Sequence, residues 1–414
     1  MRFRPHLRLV IRLADIRDAR TRIADDMYLS PLARSESLSR QAGAPVHLKL
    51  ENLQMTGSFK ERGALNRMLG LSDDERAVGV VASSAGNHAQ AVGYIARRLD
   101  IRATIVMPET APLTKVSNTR GFGAEVILAG ETYAEAYETA CRIQQERGLV
   151  FIHPYDDELV VAGQGTIGLE LLEQQPDLEV IVVPVGGGGL IAGVATAVKQ
   201  MEPHIEIVGV EAASYQTAQR SLAAGHIEAC GDTATLADGI AVRQVGEVPF
   251  AQMQQYVDRV VTVTEEEIAS SVLALAEQEK TVAEGAGAVA LAAVLEKRFE
   301  LRGRRVACIV SGGNIDVNTL SKIIERGLTR DGRRVRLSVD VPDRPGSLAR
   351  VATVVAACRA NVLEVHHERA FSAGPVGTTG VRFTLETRGR EHVQDVIDQL
   401  ESEGFSAREE RREV

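Results

Sequence analysis

The chain has no tryptophan, and phenylalanine and tyrosine bring the aromatic share to only 4% of its 414 residues. The rest of the composition, 44% apolar and 25% charged, is that of a soluble globular protein long enough for two or three domains and at least one large core. There is no basic excess. The formal net charge of -9 argues against a nucleic-acid-binding surface, so no nucleic-acid partner is expected. Cysteine is scarce and scattered: Cys141, Cys230, Cys308 and Cys358 form no CxxC pair, and no histidine is spaced to complete a zinc site. Reduced, buried thiols are the expectation. The basic start, MRFRPHLRLVIRLADIRDAR, reaches an acidic residue by Asp15 and develops no apolar core with a small-residue cleavage site. No secretion signal is read there, and a cytoplasmic protein is expected.

A charge-free run long enough to span a membrane occurs once, VIVVPVGGGGLIAGVATAV from Val180 to Val198. Pro184 and the four glycines after it would break a spanning helix. A short β-branched strand, a glycine loop and a new helix fit every residue, so no membrane partner is expected.

From about Val46, short β-branched runs alternate with longer helical patterns: AVGVVAS, NHAQAVGYIARRL, ATIVMP, GAEVILAG, YAEAYETACRIQQERG, GLVFIHPY, LEVIVVPV, IEIVGVEA and finally RRVACIVSGGN. Such alternation marks βα units on largely parallel sheets, here an α/β body over residues 1–325 with a smaller subdomain at roughly 60–153. The charged ERGLTRDGRR reads as a linker, 326–334. The last ~80 residues read strand, helix, strand, strand, helix, strand, the ferredoxin-like split unit, over 335–414. There the strands are VRLSVDVPD, NVLEVHHERAF, GVRFTLETR and FSAREERREV.

Three glycine-containing turns follow strands in the first body: SSAGNHAQ (Ser83 to Gln90), GGGGL (Gly186 to Leu190) and SGGN (Ser311 to Asn314). Loops at the carboxyl ends of parallel strands converge on ligand crevices. GGGGL can turn successive N–H groups inward without Cβ interference, and the following helix adds its positive end, which makes a phosphate cradle. It matches neither GxGxxG with an acidic ribose ligand nor a P-loop. A second motif, QMTGSFKERGA, sets Lys60 directly after an aromatic ring. A lysine amine and a phosphate cradle in one crevice are what pyridoxal phosphate requires, since its aldehyde condenses with a lysine amine. Taken alone, a lysine is a solvated charge and a glycine loop a device for tight packing.

QMTGSFKERGA resembles the attachment site of the serine/threonine dehydratase family of fold-type II pyridoxal-phosphate enzymes, and SSAGNHAQ and VPVGGGGL resemble its threonine dehydratases. DRPGSLARV and NVLEVHHER resemble an ACT regulatory domain, so the likeness covers nearly the whole chain. The resemblance implies a fold-type II body plus a βαββαβ ACT domain, pyridoxal 5'-phosphate as cofactor, and a homo-oligomer, dimer or tetramer. It implies that Lys60 bonds the cofactor, Phe59 packs beside it and Asn87 hydrogen-bonds its ring hydroxyl oxygen. Gly186, Gly187, Gly188, Gly189 and Leu190 hold the phosphate, and Ser311 faces the pyridine nitrogen. Ser84, Ala85, Gly86, Asn87 and His88 receive the substrate carboxylate, His88 in support.

A serine at that nitrogen does not force it to carry a proton, so the ring is a weaker electron sink, suited to elimination from the β carbon. The implied reaction is α,β-elimination of water from L-threonine, with Lys60 as general base, to 2-oxobutanoate and ammonia. Serine or another β-hydroxy amino acid is the nearest alternative substrate, and a non-catalytic amino-acid sensor is the alternative from another class. Relatives that racemise serine carry a second serine where this chain has Ala85. Relatives that bind a cation pair a glutamate like Glu211 with a later aspartate absent here, so no metal is expected. Glu284, in VAEGAGA, falls where the family has an acidic residue near the site. The DRPGSL turn offers donors to an amino-acid effector, isoleucine or valine in the family.

Overall fold

The computed structural model describes residues 10–231, 233–368 and 377–410. Residues 369–371 and 411–414, the ends of two expected strands, lie outside them, as do residues 1–9 and the aspartate at 232. The chain divides into two compact units, Met1–Asp316 and Val317–Val414.

The first unit is built on two sheets. The larger runs β1-β2-β10-β7-β8-β9, from β1 (Leu32–Ser35), β2 (Val46–Leu50), β7 (Val180–Pro184), β8 (Glu206–Ala212), β9 (Arg259–Val263) and β10 (Val306–Val310). All its pairings are parallel except the edge strand β1, which pairs antiparallel with β2. The smaller runs β5-β4-β3-β6, from β3 (Val80–Ser83), β4 (Ala103–Met107), β5 (Glu125–Leu128) and β6 (Val150–Phe151), and is wholly parallel. Strands β3, β4, β7 and β10 are buried at every residue. That explains why they read as unbroken apolar runs: helices cover both faces of a parallel sheet. The run Val180 to Val198 is strand, glycine loop and helix Gly189–Met201. Among the described residues no helix is long and apolar enough to cross a membrane.

Helix Lys60–Leu69 carries the lysine of the QMTGSFKERGA motif at its first position. It packs on helix Glu158–Gln174 so closely that a Cβ on Gly163 would lie 2.6 Å from Arg62 O, an approach only glycine permits. Beneath this contact sits a buried ionic tetrad. Arg62 forks to Glu51 (Nε–Oε2 and Nη2–Oε1, both 2.8 Å) and to Glu170 (Nη1–Oε1 2.6 Å, Nη2–Oε2 2.9 Å), and Lys49 Nζ donates to Glu170 Oε2 at 2.6 Å. For Arg62 the partners outweigh desolvation and raise its pKa, whereas at Lys49 desolvation wins and lowers it. The tetrad fixes the helix from which Lys60 projects.

The second unit is a four-stranded antiparallel sheet, β12-β13-β11-β14, from β11 (Arg334–Pro342), β12 (Asn361–Glu368), β13 (Thr378–Glu386) and β14 (Ser406–Glu409). Val335, Leu337, Val339 and Val341 alternate into its core, with helices Ser347–Ala357 and Arg390–Ser402 inserted in the split βαββαβ order. One expectation is corrected. Residues 326–330, read as linker, are the final turns of helix Val317–Arg330, and the unit boundary falls before that helix. Ile323 and Gly327 are buried on one face while the charged residues take the other, so the charge run is a solvated helix face.

Candidate active site

A cavity of about 620 Å³ in the first unit is lined by all three glycine-containing turns and by Lys60. Backbone contacts join the segment before Lys60 to the SGGN turn. Phe59 N donates to Ser311 O at 3.1 Å, Gly313 N to Gly57 O at 2.9 Å, and Ser58 and Gly312 form an isolated bridge. The Lys60 amine faces the cavity, 5.1 Å from the centroid of the Phe59 ring, and donates to Pro154 O at 2.9 Å. It nevertheless lies deep enough in the protein that burial lowers its pKa to about 8, against a smaller opposing pull from Glu284.

Two helices open into the cavity without a side-chain cap: Asn87–Arg98, preceded by Gly86, and Gly189–Met201, preceded by Gly188. Their free N–H groups and positive ends favour anions. Ser72, Thr132, Asp157 and Thr264, by contrast, cap the starts of their helices with side-chain oxygens. In the GGGGL loop, Gly188 has φ +88°, and a Cβ on Gly187 would fall 2.3 Å from the Tyr155 ring. The loop is therefore pressed on Tyr155 with no room for side chains, as a phosphate cradle demands.

The other sequence candidates line the same cavity: Ser84, Ala85, Gly86, Asn87, His88 and Ser311. Ser84 Oγ accepts from Gly86 N at 3.2 Å and tightens the turn. Asn87 is clamped, its Nδ2 donating to Glu284 Oε1 at 2.6 Å and its Oδ1 accepting from Asn314 Nδ2 at 2.8 Å. His88 is buried with Nε2 at 2.8 Å from Ile152 O, and burial, reinforced by the Lys60 charge, lowers its pKa to about 3. A neutral ring held by the carbonyl just after β6 leaves its backbone N–H as its means of meeting a carboxylate. Ser311 Oγ donates to Ala286 O at 3.3 Å.

Several residues of the site were not legible as such. Ser83 is fully buried and lines the cavity, and its enclosed Oγ has no partner among the described residues. Glu284 is buried against the backbone of Gly312 and Gly239, and burial followed by the charge of Asp238 raises its pKa to about 7. Lys115 and Asp238 pair at 2.7 Å on the cavity wall. Ser83, Asn314 and Glu284 stood inside quoted motifs, Glu284 as an acidic residue near the site, whereas Lys115 and Asp238 did not. Glu211, weighed as a cation ligand, accepts from Thr217 Oγ1 at 3.0 Å and from the N–H groups of Ala218 and Gln219 at 2.7 and 3.0 Å. It thereby caps helix Thr217–Ala224, and no cluster of three metal-ligating side chains occurs among the described residues.

In the second unit, a cavity of about 320 Å³ is lined by Val341 to Leu348, His367 and Thr379. It opens at the uncapped start of helix Ser347–Ala357, where Gly346 has φ +93°.

A buried amine of lowered pKa, an uncapped glycine cradle and a second uncapped helix start in one cavity fit pyridoxal phosphate, and the chain belongs to the family described as pyridoxal-phosphate dependent enzyme, which matches residues 23–312. The ACT domain family matches residues 330–403. The chain is 49% identical to the L-threonine ammonia-lyase of Thermotoga maritima over 96% of its own length and 99% of that protein's. Among solved structures it is similar to the processed form of threonine deaminase isoform 2 from Solanum lycopersicum, with TM-score 0.73 and 40% identity over 76% of this chain and 86% of that one. It is also similar to maize serine racemase, with TM-score 0.73 and 36% identity over 77% and 98%.

Proposed function

We propose that the protein eliminates water from L-threonine to an enamine, whose imine tautomer takes up one water and yields 2-oxobutanoate and ammonia, and that it acts in the cytoplasm as a homo-oligomer. The observation that carries this reading is the Lys60 amine, lowered to about 8, in the same cavity as the Gly186–Leu190 cradle. Threonine as the substrate follows from the near-half identity to an L-threonine ammonia-lyase across almost the whole chain.

Pyridoxal phosphate, when bound, forms a covalent bond to the amine of the lysine or of the substrate and draws electrons from the α carbon. The chain's own residues do the rest. The uncapped N–H groups of Gly186 to Leu190 would hold the phosphate, and in the Ser84 to His88 turn, where Ser84 N and Gly86 N are already bonded, those of Ala85, Asn87 and His88 would take the substrate carboxylate and fix the α carbon. Lys60, with its amine free, would remove the α proton. With a pKa of about 8, about a tenth of it is neutral at pH 7. Phe59 and Pro154 O keep that amine in place. Asn87, held between Glu284 and Asn314, would offer its second amide proton to the ring hydroxyl oxygen, and Ser311 would turn its hydroxyl proton from Ala286 O to the pyridine nitrogen without charging it. Glu284, poised near 7, adjusts the charge facing Lys60.

The cavity at Val341 to Leu348 is proposed as the effector site for isoleucine or valine, with apolar walls for the side chain and the uncapped start of helix Ser347–Ala357 for the carboxylate. One experiment tests both proposals: 2-oxo acid release from a panel of β-hydroxy amino acids, with and without isoleucine and valine. Threonine is expected to give the highest kcat/KM, with no D-enantiomer formed, and the branched amino acids to shift its saturation curve. Absence of 2-oxo acid from every substrate would overturn the catalytic reading. An unmoved curve would overturn the regulatory one.

A further inference from the structure

The segment from Ile152 to Asp157 leaves β6 of the smaller sheet, enters helix Glu158–Gln174, and holds a different neighbour at nearly every residue. Ile152 O meets His88, and Pro154 O accepts from Lys60. The Tyr155 ring and backbone lie against Gly187 and Gly189. Asp156 Oδ1 accepts from Val248 N at 3.0 Å, and Asp157 caps helix Glu158–Gln174 while pairing with Arg67 at 3.0 Å. The sheet cannot aim the Pro154 carbonyl, because the last ladder bond is Ile152 N to Val81 O and proline has no N–H of its own.

What aims it is His153. Its Nδ1 accepts from the backbone N–H groups of Asp156 at 2.7 Å and Tyr155 at 3.3 Å, so the chain folds back over its own side chain as in an Asx turn. With Nδ1 accepting, the ring carries its proton on Nε2. The ring itself is seated edge-on to Tyr155 at 4.7 Å and near Phe151 and Tyr137 at 6.2 and 6.3 Å. That turn sets both the carbonyl that steadies the Lys60 amine and the aromatic floor of the glycine cradle.

We propose that His153 is a positioning residue for both halves of the cofactor site, acting on Lys60 through Pro154 O and on the cradle through Tyr155. This rests on the reading of Lys60 as the cofactor-bonding lysine. The test uses the full chain with two substitutions. His153→Phe keeps a ring of similar shape and removes the acceptor. His153→Asn removes the ring and keeps a side-chain oxygen able to accept from the same two N–H groups. Two quantities are read besides turnover: the dissociation constant of pyridoxal phosphate, and the pH dependence of its capture by the cofactor-free protein, followed by visible absorbance.

His153→Phe is expected to weaken cofactor binding about tenfold, because two N–H groups lose their acceptor. It is also expected to move the midpoint of the capture profile below the native value near 8, since a displaced carbonyl no longer steadies the ammonium form. His153→Asn is expected to stay within about twofold of the native protein in both readouts. A purely structural role would lower the melting temperature of both variants and leave the midpoint where it is. Native affinity and midpoint in His153→Phe overturn the proposal, as does equal impairment in His153→Asn. If His153→Phe does not fold, the Asn variant alone decides: native readouts support the proposal and shifted ones overturn it. Lys60→Ala separates the underlying reading, because capture with the native absorbance in that variant would refute the role of Lys60 whatever the His153 variants do.

Discussion

Lys60 and Arg62 stand two residues apart in the first turn of one helix, and the protein treats their charges in opposite ways. Arg62 is fully buried and forks to two carboxylates, with Thr166 Oγ1 also accepting from Nη1 at 3.1 Å. Those partners outweigh the desolvation and raise its pKa further, so it is a permanent cation. Lys60 has one carbonyl and no ion pair among the described residues, so desolvation wins and its pKa falls. A structural cation is made by matching its donors; a reactive amine is made by withholding partners. The tetrad also holds rigid the helix end on which the under-partnered amine sits.

Placing methionine at each position breaks the comparison most directly. Lys60→Met is expected to lower 2-oxo acid production by about 10³-fold or more, measured at saturating threonine. Arg62→Met is expected to cost about 3–5 kcal/mol of unfolding free energy in denaturant titration, because it strands Glu51 without its paired cation and leaves Glu170 with Lys49 alone. The cofactor-free Lys60→Met protein should instead gain about 1 kcal/mol at pH 7, a figure kept small because the amine faces the cavity. The sign follows from linkage. A lysine whose folded pKa lies below its unfolded 10.5 binds fewer protons folded than unfolded between about 8 and 10.5. Its burden on stability is therefore full below pH 8 and fades as the pH rises.

Glu284 sharpens the comparison from the acidic side. Its folded pKa of about 7 exceeds the ordinary 4.5, so the native state is favoured below pH 4.5 and loses that advantage as the pH rises through 7. Glu284→Gln in the cofactor-free protein is therefore expected to be more stable than native at pH 8 by about 1–3 kcal/mol and no more stable at pH 4. A difference independent of pH would contradict that assignment. The smallest effect is expected for Lys115→Ala. Its partner Asp238 is 57% exposed, so stability should change by less than about 1 kcal/mol while KM rises a few fold, both read at low and high salt.

How much of this could be read from the sequence depended on how far apart the partners lie along the chain. Lys60, the glycine cradle and the SSAGN and SGGN turns are each written in a few consecutive residues whose backbone needs are local. The contacts that give them meaning are not. Lys60 and Pro154 are 94 residues apart, Lys115 and Asp238 123, and Asn87 and Glu284 197. Without the fold, IHPYDD is the end of a strand rather than the meeting point of the lysine, the cradle and three helices. The same limit hid the tetrad, because Lys49, Glu51, Arg62 and Glu170 come from separate stretches of the chain and carry no local motif. Strand alternation did place the parallel sheets, because burial on both faces leaves unbroken β-branched runs. It missed the edge strands β1 and β9, whose partial exposure dilutes that signal.

The central claim is that Lys60, and not one of the other buried or cavity-lining lysines, bonds the cofactor. Borohydride reduction of the holoenzyme, proteolysis and mass spectrometry test it most directly, since reduction makes the carbon–nitrogen bond permanent. The account predicts the added mass of the reduced cofactor on the peptide that contains Lys60. Added mass on Lys49 or Lys115, or on no lysine, would contradict it.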